Sequence, residues 1–155
     1  MKKLTMVLGA FLLAVSVEAA GNALFQKLQP LVGTWEATVQ GKKVRTVISS
    51  GSHGSTLVES MMPESENMLN VIHADGDALM MTHYCAGANQ PRYRASKFDG
   101  NKIDFKFVDG TNLGNDFMSG VTVTLVDADH IVEQWRNTKD GKEKVDMTFN
   151  FTRVK

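Results

Sequence analysis

The stretch from Thr82 to Arg94, THYCAGANQPRYR, gathers His83, Tyr84, Cys85, Arg92 and Arg94 within thirteen residues. His83 and Cys85 stand two apart, so on an extended strand a base and a thiol share one face. That spacing alone does not ensure the contact a nucleophile requires. Arg92 and Arg94 also stand two apart. If their face points into a core, each guanidinium requires a carboxylate partner or an anionic ligand, because an unpaired buried charge is costly. Glu59, flanked at spacing two by Leu57 and Met61, is the first internal partner; Glu133, between Ile131 and Trp135, is the second. Such a pairing is either an internal salt bridge that closes the core or part of a ligand site. The same carboxylates, taken with His83, make a candidate catalytic acid/base set of the kind an isomerase or cyclase uses.

The other histidines add no metal centre. A zinc site takes three or four converging ligands. His53 sits in the turn SSGSHGS, His130 opens a strand, and an Asp75-Gly76 hairpin puts His73 on the face opposite His83. No metal site is assigned. Of nine methionines, Met61, Met62, Met68, Met80, Met81, Met118 and Met147 fall in or beside strands. Flexible thioethers suit a cavity that accepts apolar ligands of variable shape, and they also fill gaps in ordinary cores. Cys85 is the single cysteine. It cannot form an internal disulfide, and reads as a buried small hydrophobe or a reactive thiol.

The elements that position these residues follow a simple cadence. From Gly33 onward, runs rich in Val, Ile, Thr, Phe and Met alternate with Gly, Asp or Asn turns about ten times, which predicts an antiparallel up-and-down β-barrel. Strands are expected at 34–39, 44–49, 56–62, 68–73, 78–85, 92–98, 102–108, 117–126, 130–137 and 144–153. Before them, Leu24, Phe25, Leu28 and Leu31 recur at helical spacing and predict a short helix over 22–31 that caps one mouth. Three connections exceed hairpin length, at 63–67, 86–91 and 109–116, and such loops on a rigid barrel are where binding and gating usually sit.

Alternation assigns faces. On the last strand Val145, Met147, Phe149, Phe151 and Arg153 share the inward face, and on the seventh Ile103, Phe105 and Phe107 do. A two-residue turn at Gly100 would then put Arg92, Arg94, Ser96 and Phe98 inside; a three-residue bulged loop would instead put Tyr93 and Ala95 there. The first is favoured because it keeps Phe98 in and Lys97 out.

Lys2 and Lys3 precede an apolar run of about fourteen residues from Leu4 to Val17, the length of a signal peptide and short for a membrane span. Cleavage after Ala19, Ala20 or Ala23 satisfies the small-residue rule, with Ala20 favoured, so residues 1–20 are expected to be a signal peptide and 21–155 one barrel domain. The protein is then exported, periplasmic or extracellular, with no stable membrane span after processing. Without Lys2, Lys3 and Glu18 the 17 basic and 17 acidic residues become 15 and 16. That near balance argues against nucleic acid or an anionic membrane surface as partner.

PLVGTWEATV, residues 30–39, puts Gly-x-Trp on the first strand after a short helix and resembles the start of calycin barrels, including lipocalins and nitrobindin-like proteins. LVGTWE together with THYCAGANQPR is similar to a family of exported bacterial lipocalin-like domains of uncharacterised function. The resemblance implies that Trp35 packs across the barrel base near a late-strand arginine, for which Arg153 is the match. The ending FNFTRVK also resembles the last strand of fatty-acid-binding barrels, in which an inward arginine meets a carboxylate ligand. Nitrobindin-like proteins hold haem through a late histidine; no His follows His130 here, so haem is disfavoured and no cofactor is expected.

The reading is an exported, all-β calycin-like barrel that binds a small, largely apolar molecule, with room for an anionic group, in its interior. Arg92 and Arg94 would hold the anion, and His83 and Tyr84 would shape the polar end. Met61, Met81, Phe105, Phe149 and Phe151 would form the apolar wall, and Trp35, Glu59, Cys85 and Arg153 are further ligand-binding candidates. Binding is favoured over catalysis by His83 with Glu59 or Glu133. A filled barrel that meets an envelope partner through its loops, at Asn89 or Gln90, is a third reading.

Overall fold

The computed structural model describes residues 22–62 and 64–155; the expected signal peptide lies outside the described residues. Helix α1 (Ala23–Leu28) runs into a 3-10 turn (Gln29–Leu31). Eleven strands follow: β1 (Gly33–Val39), β2 (Lys42–Gly51), β3 (Thr56–Met61), β4 (Met68–Asp75), β5 (Ala78–Tyr84), β6 (Gln90–Ala95), β7 (Phe98–Asp99), β8 (Lys102–Thr111), β9 (Asp116–Leu125), β10 (His130–Lys139) and β11 (Lys142–Arg153). Neighbours in sequence are neighbours in the sheet, except that β6 pairs with β8 and not with β7. Pairing of β1 with β11 and of β6 with β8 closes a ten-stranded antiparallel barrel, with the two-residue β7 as an extra strand beside β8. The expected fold class is the one observed.

The turns explain why the meander forms. Gln40 and Gly41, and again Asp140 and Gly141, both take positive φ (50° and 78°, 48° and 75°), the pair of left-handed residues whose twist matches a two-residue hairpin. Asn22 caps α1: its Oδ1 accepts from the N–H groups of Leu24 and Phe25 at 2.9 and 3.2 Å. Its Nδ2 donates to the carbonyls of Gly76 and Ala78, both at 2.8 Å, so the cap also ties the helix to the β4–β5 hairpin. Phe25, Leu28 and Leu31 are buried in the core against that end of the barrel. One mouth is thereby closed.

Inside, Trp35, Leu57, Leu79, Tyr93, Ile103, Phe105, Ile131, Phe149 and Phe151 form one continuous core. The rings of Phe149 and Phe151 stack with centroids 5.4 Å apart. Arg153 lies over the Trp35 ring at 4.0 Å, the relation that the resemblance implies.

Strand β6 corrects the expected faces. The turn at Gly100 has the two-residue form, pairing Asp99 with Lys102 and Phe98 with Ile103. Ser96 and Lys97 then leave the ladder, and pairing resumes with Arg94 opposite Lys106 and Tyr93 opposite Phe107. One extra residue has been consumed, and a one-residue slip exchanges the faces of a strand. Tyr93 and Ala95 point in; Arg92 and Arg94 point out. Arg92 pairs with Asp109 at 2.5 and 2.7 Å, and Arg94 pairs with Asp75. The exchange spares the barrel two buried guanidinium groups and buries an aromatic ring.

Two bulges act at the open mouth. Register shifts between Trp135 and Arg136 against β11, and between Arg136 and Asn137 against β9. Val145, expected inward, lies beyond the first bulge and is 59% exposed. Bulges at barrel rims re-aim side chains.

Candidate functional site

Glu59 on β3 and Glu133 on β10 come from nearly opposite sides of the ring. Each sits between inward apolar neighbours, so the alternation that buries those neighbours carries the carboxyl inside with them. Only 5% and 3% of their surface is exposed. Burial, and then the nearby Glu59 charge, hold Glu133 well above the usual carboxyl range. Burial raises Glu59 as well, opposed by hydrogen bonds from Asn70, Thr46 and Glu133. Two adjoining buried carboxylates cannot both ionise cheaply, so the pair favours a protonated partner, with Glu133 the more strongly raised of the two.

The bonds around this pair have a direction. Trp135 Nε1 donates to Glu133 Oε2 at 3.0 Å. Thr46 Oγ1 donates to Glu59 Oε1 at 2.8 Å, and Asn70 Nδ2 donates to Glu59 Oε2 at 2.7 Å. With its amide nitrogen committed there, Asn70 presents its oxygen to His83 Nδ1, 2.7 Å away. A carbonyl oxygen only accepts, so Nδ1 carries the hydrogen. Burial lowers the His83 pKa to about 4, and the ring is neutral at pH 7. Its second nitrogen, Nε2, is a bare lone pair, buried and without a partner. Trp135 braces the ring, with centroids 4.9 Å apart.

Two spaces adjoin the network. The first, about 20 Å³ and lined by Glu59, Asn70, Met81, Glu133 and Trp135 among others, is water-sized. The second, about 210 Å³, opens at the mouth opposite α1. His83, Trp135 and Phe149 form its floor with Met61, and Met62, Glu66, Met68, Cys85, Ala86, Gly87, Met118 and Met147 complete it. Local sequence builds this rim. Met62 takes a left-handed φ of 46° and its carbonyl accepts from the N–H groups of Ser65 and Asn67, both at 2.9 Å, which brings these residues back to the end of β3. Cys85 and Asn89 close the next loop through a Cys85 N–H to Asn89 carbonyl bond of 3.1 Å. Tyr93 Oη donates to the Met118 carbonyl at 2.8 Å, fixing β9 beside the bulge.

Of the expected site residues, Glu59, Glu133, His83, Cys85, Met61 and Phe149 meet at the network and the mouth pocket, with Met81 at the smaller space. Trp35 and Arg153 lie at the helix-capped end, where Arg153 donates to the carbonyls of Pro30, Val32 and Ala128 at 2.7, 2.9 and 2.9 Å. Phe105 and Phe151 are plain core. Tyr84 is on the outer face, 47% exposed, because it alternates with His83. Arg92 and Arg94 are outside with it. His73 falls on the outer face, as the hairpin register requires.

Sequence reading missed Asn70, Thr46 and Trp135 as members. A signal was present: Asn70 stands at spacing two between Met68 and Ile72, a polar side chain on an inward face.

The fold is consistent with a calycin-like barrel. Compared with known proteins, the chain matches no family model and no curated protein at a significant level.

Proposed function

We propose that this is an exported, calycin-like barrel that binds a small, largely apolar molecule in the mouth pocket opposite α1. One observation carries the reading: an apolar pocket of about 210 Å³ has His83 in its floor, and the ring's only uncommitted atom is the buried lone pair of Nε2. Ligand sites are mostly apolar concavities with a few placed polar groups that fix orientation. Pockets for drug-sized ligands run to roughly 300–1,000 Å³, so the ligand is smaller than these.

The lone pair selects a ligand with a hydrogen-bond donor or another electron-pair acceptor. An anionic group drops out of the reading, since Arg92 and Arg94 face outward and the interior charge belongs to the Glu59–Glu133 pair. Export rests on the leader expected over residues 1–20. The helix cap argues against cleavage after Ala23, which would remove Asn22 and its bonds to α1 and the β4–β5 hairpin, and in favour of Ala19 or Ala20.

The test is native mass spectrometry of the protein purified from its own envelope fraction, set against its denatured mass. A small added mass that is lost on denaturation, and absent from a Trp135→Ala variant that still folds, is the expected result. Bare protein, with no gain in melting temperature across a panel of small apolar hydrogen-bond donors and metal ions, would overturn the reading.

A further inference from the structure

Five of the seven methionines among the described residues, Met61, Met62, Met68, Met118 and Met147, line the one mouth pocket, together with the chain's single cysteine. They come from β3, the loop after it, β4, β9 and β11, so the gathering is made by the fold and not by a local run of sequence. A core that merely needs gap-filling would spread its thioethers. Here they share a pocket with a neutral imidazole whose Nε2 lone pair is unpartnered and whose Nδ1–H is held by Asn70. A histidine that donates its second N–H to a fixed acceptor is the arrangement found in metal-ligating imidazoles.

We propose that the mouth pocket is a soft-metal site that takes a cuprous ion. His83 Nε2 and Cys85 Sγ are the anchors, and the thioethers of Met68 and Met147 complete a four-coordinate set, with Met118 beside them. Thioether and thiolate donors select Cu(I), whereas harder divalent ions prefer carboxylate, carbonyl and water. The donor inventory excludes the alternatives: among the described residues no three His, Cys, Asp or Glu side chains converge, so zinc finds no complete set. Met61 is set aside because its Sδ already lies 3.1 Å from Asn70 Nδ2. Ligation also gives the lone thiol a role that no disulfide can, and it releases the Cys85 proton to the buffer. The inference rests on the reading above only in placing the ligand at this pocket.

The experiment uses the chain expressed in full and purified as the cell leaves it. Cu(I) is supplied under anaerobic conditions as its coloured bicinchoninate complex, and an apolar fluorescent dye is titrated in parallel. Expected are capture of one Cu(I) per chain, copper-edge X-ray absorption with mainly sulfur neighbours, and no displacement by excess Zn(II). Met68→Leu and Met147→Leu keep volume and apolarity, and each should weaken Cu(I) by at least about tenfold while dye binding persists. Cys85→Ser should weaken it as well. Dye binding without Cu(I) capture would overturn the metal site and leave the small-molecule reading standing. Failure of both would remove both. Capture that is unchanged in the leucine and serine variants would place the ion elsewhere and overturn the proposal.

Discussion

His83 donates its Nδ1 hydrogen to Asn70 Oδ1 across 2.7 Å, and this bond decides which nitrogen of the ring carries the hydrogen. Asn70 cannot rotate to offer its amide instead, because Nδ2 is spent on Glu59. Replacing Asn70 by Ala strands a buried donor on His83 and removes a donor from Glu59. A loss of about 2–4 kcal/mol is expected, read as a lower urea midpoint. Nitrogen NMR of the imidazole should show the Nδ1–H tautomer in the parent protein and a mixture in the variant. An unchanged midpoint and tautomer would show that Asn70 does not set the ring.

Acid should unfold the barrel partly through His83. Its pKa in the fold is about 4 against 6.5 unfolded, so between these values the unfolded chain binds the extra proton. This contribution is fully present above pH 6.5 and is lost as pH falls through about 4. The difference is worth about 3 kcal/mol. Unfolding free energies taken at intervals from pH 7 to 4 should fall in the parent and fall less in His83→Gln. Matching slopes in the two proteins would refute the assignment.

The carboxyl pair predicts an asymmetry. Burial and the Glu59 charge favour the neutral form of Glu133, and Glu133→Gln is a neutral isostere that keeps an oxygen for Trp135 Nε1. It should be neutral or stabilising near pH 7. Glu59 accepts from Thr46, Asn70 and Glu133, and Glu59→Gln turns an amide N–H toward donors; it should cost about 1–3 kcal/mol. Linkage has the opposite sign to His83. The raised Glu133 pKa gives stability that is present below the unfolded value of 4.5 and is lost as pH rises toward the folded value, and Glu133→Gln should remove that loss. Equal destabilisation by both variants would contradict a single shared proton.

Much of this arrangement was legible in the residues. Period-two alternation and paired turn residues gave the barrel, the helix and the inward parity of Glu59, His83, Glu133 and Met147, because each of these residues lies on a stretch that stays in register with its neighbours. Parity failed where register slips. Ser96 and Lys97 drop out of the ladder and exchange the faces of Arg92 and Tyr93, and the bulge beside Trp135 turns Val145 outward. No local pattern announces a one-residue slip. The convergence of Met68, Met118 and Met147 was hidden for another reason: their strands meet only after the barrel closes, so their shared pocket is a property of topology.

Arg153 and Arg92 provide the last contrast, since sequence reading placed both at a ligand and neither faces the pocket. Arg153 spreads its guanidinium over Trp35 at 4.0 Å and donates to three carbonyls, joining the 3-10 turn, the start of β1 and the β9–β10 connection. Lysine offers a point charge and cannot reproduce a planar fork stacked on an indole. Arg153→Lys should therefore lower stability by about 1–3 kcal/mol while leaving ligand capture at the far mouth unchanged. Arg92, exposed and paired with Asp109, belongs to the class of surface ion pairs that contribute little. Arg92→Ala should leave both the urea midpoint and ligand capture where they are. If Arg92→Ala abolished binding, the ligand would lie on the outer face of β6, and the mouth pocket would lose its claim.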